Sequence, residues 1–156
     1  MQSFFEDYLY NLKELHKDII NGLKDLPSAA LDWSPAADMN SINALVVHTV
    51  GAQRFLIGEI VAGKPANRDR EAEFKVRGLD AETLIQRLDQ SFDQIRSQLN
   101  NLTITDLAAR RDFRGRETSV AWVLGHALKH TAMHTGQIQL MRQCWELYGE
   151  TGNKDG

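Results

Sequence analysis

The sequence predicts an all-α protein, a four-helix bundle with long connecting loops. Three observations predict it. Four long segments carry apolar residues at the helical period. Capping and stop residues stand at the ends of those segments. The composition, 42% hydrophobic and 25% charged over 156 residues, is ordinary for one globular domain with a real core. That domain is expected over residues 1–150, with 151–156 a disordered Gly-, Asn- and Lys-containing tail.

The first helix is expected from about Ser3 to Lys24, with Phe5, Tyr8 or Leu9, Leu12, Leu15, Ile19 and Leu23 on one stripe and Pro27 as its stop. The second runs from about Ser41 to Ala62 through Ile42, Leu45, Val46, Thr49, Ala52, Leu56 and Ile60. Asn40 or Ser41 caps it, and Gly63 with Pro65 ends it. The third runs from Ala81 to about Leu99 through Leu84, Leu88, Phe92, Ile95 and Leu99. Asp80 is its cap, and Glu82 suits the positive end of the helix dipole. The fourth runs from about Thr118 to Tyr148 and stops at Gly149. The connections 25–40, 63–79 and 100–117 are long for a simple up-and-down bundle, and Phe113-Arg-Gly-Arg116 reads as a small hairpin or turn before the last helix.

Charge narrows the function classes. Lys and Arg total 18 against 21 Asp and Glu, a net charge of −3, which gives no electrostatic footprint for nucleic acid. The basic group Arg110, Arg111, Arg114 and Arg116 is interrupted by Asp112 and reads as a solvated hairpin. The single cysteine, Cys144, rules out an intramolecular disulfide. No signal pattern is seen, and no apolar run approaches the roughly 20 residues that span a bilayer. The expectation is a cytoplasmic protein without membrane or nucleic-acid partners.

The chemistry concentrates in histidine. His126, His130 and His134 stand four apart, so their rings leave one stripe of one helix, each step rising about 6 Å. Neutral imidazole is a common nitrogen ligand for zinc and related metals. Neighbours at i and i+4 can share one ion, whereas His126 and His134, about 12 Å apart along the axis, cannot do so comfortably. Either His126 with His130 or His130 with His134 therefore forms a pair, and a further ligand must come from elsewhere. His48, inward-facing among Leu45, Val46 and Ala52 on the second helix, is the obvious donor. Three histidines leave a coordination position open, as catalytic sites do. His16, flanked by Lys13, Glu14 and Lys17, reads as a helix-edge residue.

Two stretches, Leu31-Asp-Trp-Ser-Pro through Asn40-Ser-Ile to His48, and Trp122 through His130 and His134 to Gly136-Gln137, resemble the DinB/YfiT-like superfamily of metal-binding four-helix bundles. Helix order and lengths agree over nearly the whole chain. The resemblance implies a divalent metal, zinc or nickel, held by His48, His130 and His134. It puts His126 a turn away and Gln137 where it can orient a ligand. It also implies a homodimer and a small-molecule substrate, with low-molecular-weight thiols the co-substrates of characterised branches. One departure stands out. Relatives often carry a carboxylate close to the first ligand histidine, but here no acid follows His48 until Glu59, about 16 Å along the helix. A proton-transfer partner is then expected from the loops, with Asp32 and Asp38 as candidates.

Two functions follow from these readings. One is a metal-dependent enzyme that activates a water or a small thiol for transfer or hydrolysis, with thiol activation favoured because no carboxylate base is visible. The other is a non-catalytic metal-binding or dimeric interaction protein in a stress or damage response. Arg54, Arg111 and Arg114 read first as surface charge and otherwise as contacts for an anionic substrate. Trp33 reads as a core plug before the His48 helix. Cys144, ten residues and about 15 Å beyond His134, is neither ligand nor nucleophile.

Overall fold

The structure is a computed structural model that describes residues 1–149; the tail expected at 151–156 lies outside the described residues. All four expected helices form. α1 spans Ser3–Leu23 and α5 Ala81–Leu99. α3 spans Ile42–Gln53 and continues as a wider π-helical stretch, Arg54–Val61. α6 spans Val120–Cys144 and ends in a π turn, Trp145–Gly149. The caps are chemical. Ser41, Asp80 and Ser119 each accept a hydrogen bond from a backbone N–H of the first turn, satisfying donors that no helical carbonyl can reach.

The helices form a square in which α1 and α3 each pack on both α5 and α6. The core has two apolar halves. One gathers Phe5, Leu9 and Leu12 of α1 with Leu56, Ile57, Ile95, Leu99 and Leu124. The other gathers Ile19 and Leu23 with Ile42, Leu45, Leu84, Leu88 and Ile138. Between them lies a buried polar layer with one residue from each helix: His16, Gln53, Ser91 and Thr131. The Gln53 amide sits 2.8 Å from His16 Nε2 and donates to Thr131 Oγ1 at 3.1 Å, while Ser91 Oγ donates to Gln53 Oε1 at 2.8 Å. A buried network of this kind fixes how the helices slide past one another, because any shift breaks several bonds at once, although His16 Nδ1 has no partner in it.

This layer corrects the reading of His16. It is 4% exposed rather than at a helix edge. The buried stripe of α1 runs Leu12, His16, Ile19, Leu23, and Leu15 is only half-buried. The stripe of the second helix also departs from an even period beyond Arg54. The wider π turns bury Leu56, Ile57 and Val61 and leave Ile60 half-exposed.

The long connections are ordered by short elements. α2, Ser28–Asp32, follows α1. The Asp32 carboxylate accepts from Asn43 Nδ2 at 2.6 Å and from the Gly78 backbone N–H at 2.8 Å, tying two connections to α3. α4, Arg70–Lys75, is capped by Asp69 and packs on α3. A 3₁₀ turn, Ile104–Ala108, leads into the expected hairpin: β1, Arg110–Phe113, pairs antiparallel with β2, Arg116–Ser119. Arg114 and Gly115 at its tip both have positive φ, 56° and 81°, as a two-residue turn matched to strand twist requires.

One sequence expectation needs amending. Ile42–Val61 is a continuous helix of 20 residues with mean hydropathy 1.3, long and apolar enough to cross a membrane. Its burial against the other helices accounts for that character, with 67% of the stretch inside the bundle.

Candidate metal centre

His48 projects from the middle of α3, and His130 and His134 from adjacent turns of α6. α3 and α6 pack together, so the three rings meet between them. One nitrogen from each lies within 4.8 Å of the others. Nε2 of His130 is 3.2 Å from Nε2 of His48 and 3.2 Å from Nε2 of His134. A tetrahedral ion with metal–nitrogen bonds of about 2.0–2.1 Å holds its ligand nitrogens about 3.3 Å apart.

The outer nitrogens decide which way the lone pairs point. His48 Nδ1 lies 2.9 Å from Glu73 Oε2. A carboxylate only accepts, so Nδ1 carries the proton and Nε2 presents its lone pair inward. His134 Nδ1 donates in the same way to Gln137 Oε1 at 2.6 Å, leaving its Nε2 bare. A proton on His130 Nε2 can bridge to one of these lone pairs but not both. His130 Nδ1 is buried with no partner. Three converging nitrogens with too few protons between them suit a divalent cation, and the donor set fits one.

Electrostatics keeps these rings neutral. Burial lowers His130 to about 3, helped by the neighbouring His134, His48 and His126. Burial also holds His48 below the ordinary histidine range, against the upward pull of its bond to Glu73. His134 is lowered by burial, with Gln137 opposing. At neutral pH all three therefore offer lone pairs rather than charge.

Glu73 is the residue beside the cluster that sequence reasoning missed, and it places a carboxylate against His48 where none was expected. It sits on α4, 7% exposed. Arg68 holds it in a fork, Nε donating to Oε1 at 2.6 Å and Nη2 to Oε2 at 2.7 Å. Gly51 makes the approach possible, since a methyl group there would overlap Glu73 Oε1. α4 has too few residues for a buried stripe to show in its period. Its only signal was the Asp69 cap ahead of a short charged run.

Asp32 and Asp38, the loop carboxylates expected from sequence, are not hydrogen-bonded to the three histidines. Asp32 braces the connections instead, and Asp38 is exposed beside Met39 and Leu140. Glu59 accepts from the Ala66 backbone N–H at 2.9 Å, away from the cluster. His126 stacks on Trp122 at 4.9 Å and lies 6.4 Å, ring to ring, from His130, at the rim. Trp33 packs edge-on against Trp145 at 5.7 Å and against the core half built around Ile19 and Leu23. Cys144 is half-buried and free.

Comparison with known proteins places this geometry. The DinB superfamily profile matches residues 11–138. Similar solved structures include a DinB-like protein from Bacillus cereus ATCC 10987, 18% identical, covering 92% of each chain with a TM-score of 0.74. A conserved protein from Enterococcus faecalis is also 18% identical, covering 92% of this chain and 97% of its own, with a TM-score of 0.75. A DinB-like protein (YjoA) from Bacillus subtilis is 17% identical, covering 96% and 94%, with a TM-score of 0.68. No curated protein matches the chain significantly in sequence. At such identities the structures speak to fold alone, and it is the profile match over most of the chain that shows the family: the chain belongs to the DinB superfamily.

Proposed function

We propose that the protein is a metal-dependent enzyme in which His48, His130 and His134 hold zinc or nickel and a small-molecule substrate reacts beside it. The observation that carries this reading is the convergence of three neutral Nε2 atoms, two of them with their outer nitrogens fixed by Glu73 and Gln137. The metal, when bound, would supply Lewis acidity that lowers the pKa of a water or a thiol to near neutrality. Three protein ligands leave a position for that group.

The chain's own residues do the positioning. Glu73 fixes the His48 tautomer and raises its basicity toward the metal. Gln137 does the same for His134 without adding charge. Glu73 is a positioning residue rather than a base for the reacting group: it meets His48 at Nδ1, on the far side of the ring, and its oxygens are already engaged by Arg68. Among the described residues, no carboxylate joins the three histidines on the Nε2 side. That favours a thiol, which is a strong nucleophile once deprotonated, over hydrolysis, which needs further proton transfer.

The reading includes a homodimer, supported by the exposure of Met133 and Leu140 on α6, with Leu140 near the exposed Met39. The activity test is thiol conjugation. The zinc- or nickel-loaded protein is incubated with small thiols and an aromatic halide electrophile. Turnover above free metal, lost in His48→Ala, is expected; wild-type protein no faster than the metal alone overturns the reading.

A further inference from the structure

A cleft of about 560 Å³ opens beside the histidine cluster, between the 63–70 connection and the hairpin tip. Phe55, Arg68, Arg70 and Arg114 line it. Arg68 connects it to the centre, since its Nη2 is 3.3 Å from His48 Nδ1. Its charge is spent on Glu73. Among the described residues, Arg96 pairs with Asp93, Arg110 with Glu117 and Arg142 with Glu146, whereas Arg54, Arg77, Arg87, Arg111 and Arg116 have no ion pair. Arg70 and Arg114 have none either, and they are the unpaired arginines that line this cleft.

Each is held by an aromatic face instead. The Arg70 guanidinium lies 5.0 Å over Phe74, which itself stacks on His48 at 4.4 Å. The Arg114 guanidinium lies 5.3 Å over Phe113, which packs on His126 at 5.3 Å. Stacking orders a guanidinium while leaving its in-plane N–H donors free. Arg114 is also placed at some cost. Its φ of 56° falls in the left-handed region, where a turn of this type prefers Asn or Gly. The one acid lining the cleft, Glu59, is turned to the Ala66 backbone N–H.

We propose that this cleft is an anion subsite, taking a carboxylate or phosphate group of the substrate between Arg70 and Arg114 while the rest of that molecule reaches the histidine centre. The assignment rests on the metal-centre reading for the substrate's reactive end, but not for the anion site itself. The substrate class is then an anionic small molecule, and a neutral analogue is discriminated against because two ordered cations would be left without a partner.

The test uses the full chain, ¹⁵N-labelled and metal-free, titrated with succinate and with inorganic phosphate at constant ionic strength, with succinamide as the neutral control. Saturable shifts are expected at the Arg70 and Arg114 Nε–H signals and at the Gly115 amide, with none from succinamide. Arg70→Gln combined with Arg114→Asn, the latter suited to the left-handed backbone, should weaken binding at least about tenfold. Both positions are exposed, so the variant keeps its core. Unsaturating shifts, or equal binding by the double variant, overturn the subsite. A parallel zinc titration separates the two ideas. Zinc binding without anion binding rejects the cleft alone, whereas anion binding without zinc binding rejects the metal reading and with it the assignment of the cleft to that centre.

Discussion

Replacing Glu73 by Ala should weaken metal binding and loosen the fold together. The carboxylate makes three charge-assisted contacts: two from Arg68 at 2.6 and 2.7 Å and one from His48 Nδ1 at 2.9 Å. Without it, His48 can rotate or take the other tautomer. Loss of an outer partner of this kind costs about 10–100-fold in metal affinity, or about 1.4–2.7 kcal/mol. Arg68, whose side chain is 12% exposed, would be left as an uncompensated charge. Breaking a buried pair costs about 3–5 kcal/mol, and because Arg68 also borders the open cleft the lower end applies, about 3 kcal/mol. Zinc competition against a coloured chelator reads the first quantity, and urea denaturation of the metal-free protein reads the second. Gly51→Ala gives an independent check, since it displaces the carboxylate without removing charge and should weaken zinc binding in the same direction. Glu73→Ala with wild-type zinc affinity and an unchanged urea midpoint would refute the reasoning.

Three further outcomes are expected. Burial lowers His16 to about 4, against about 6.5 in the unfolded chain, so the unfolded state binds more protons between those values. The stability that His16 contributes is complete above about pH 6.5 and is lost as pH falls through about 4, some 3 kcal/mol in all. The wild type minus His16→Leu difference in unfolding free energy should follow that window, and a flat difference contradicts it. Chelation should strip the metal without melting the bundle, since both core halves are built from apolar side chains other than the three histidines; far-ultraviolet circular dichroism showing loss of helix on chelation would instead mark a structural metal. Light scattering should return a dimer, and a monomer at all concentrations removes that part of the proposal.

The parts of this molecule legible in its sequence are those with many repeats of one signal. α5 and α6 have five or more turns each, so their period located both and Asp80 marked the start of α5; α6 begins at Val120 rather than Thr118, because Thr118 and Ser119 pair in β2. His130 and His134 came from a simple spacing on such a helix. Their pairing with His48, rather than with His126, was not decided by spacing. It depends on which face of α6 meets α3, and that is a tertiary fact. His16 was misread because charged neighbours outweighed its position four residues after Leu12 and three before Ile19. Glu73 was invisible for a different reason. It acts through contacts 5 and 25 residues away, with Arg68 and His48, from a helix of 6 residues. The π-helical stretch after Gln53 also left no mark, because its extra residue per turn shifts the buried stripe by only one position.

The central claim is that three histidines hold a metal, and metal content tests it most directly. Untagged wild-type protein and His130→Ala are purified side by side, incubated with zinc or nickel, desalted and measured by elemental mass spectrometry. His130 is the informative position, because its Nε2 lies 3.2 Å from both partners and its loss removes the shared corner of the site. The account predicts about one ion per wild-type chain and almost none in the variant. Metal-free wild-type protein after that incubation, or equal retention by His130→Ala, would contradict it.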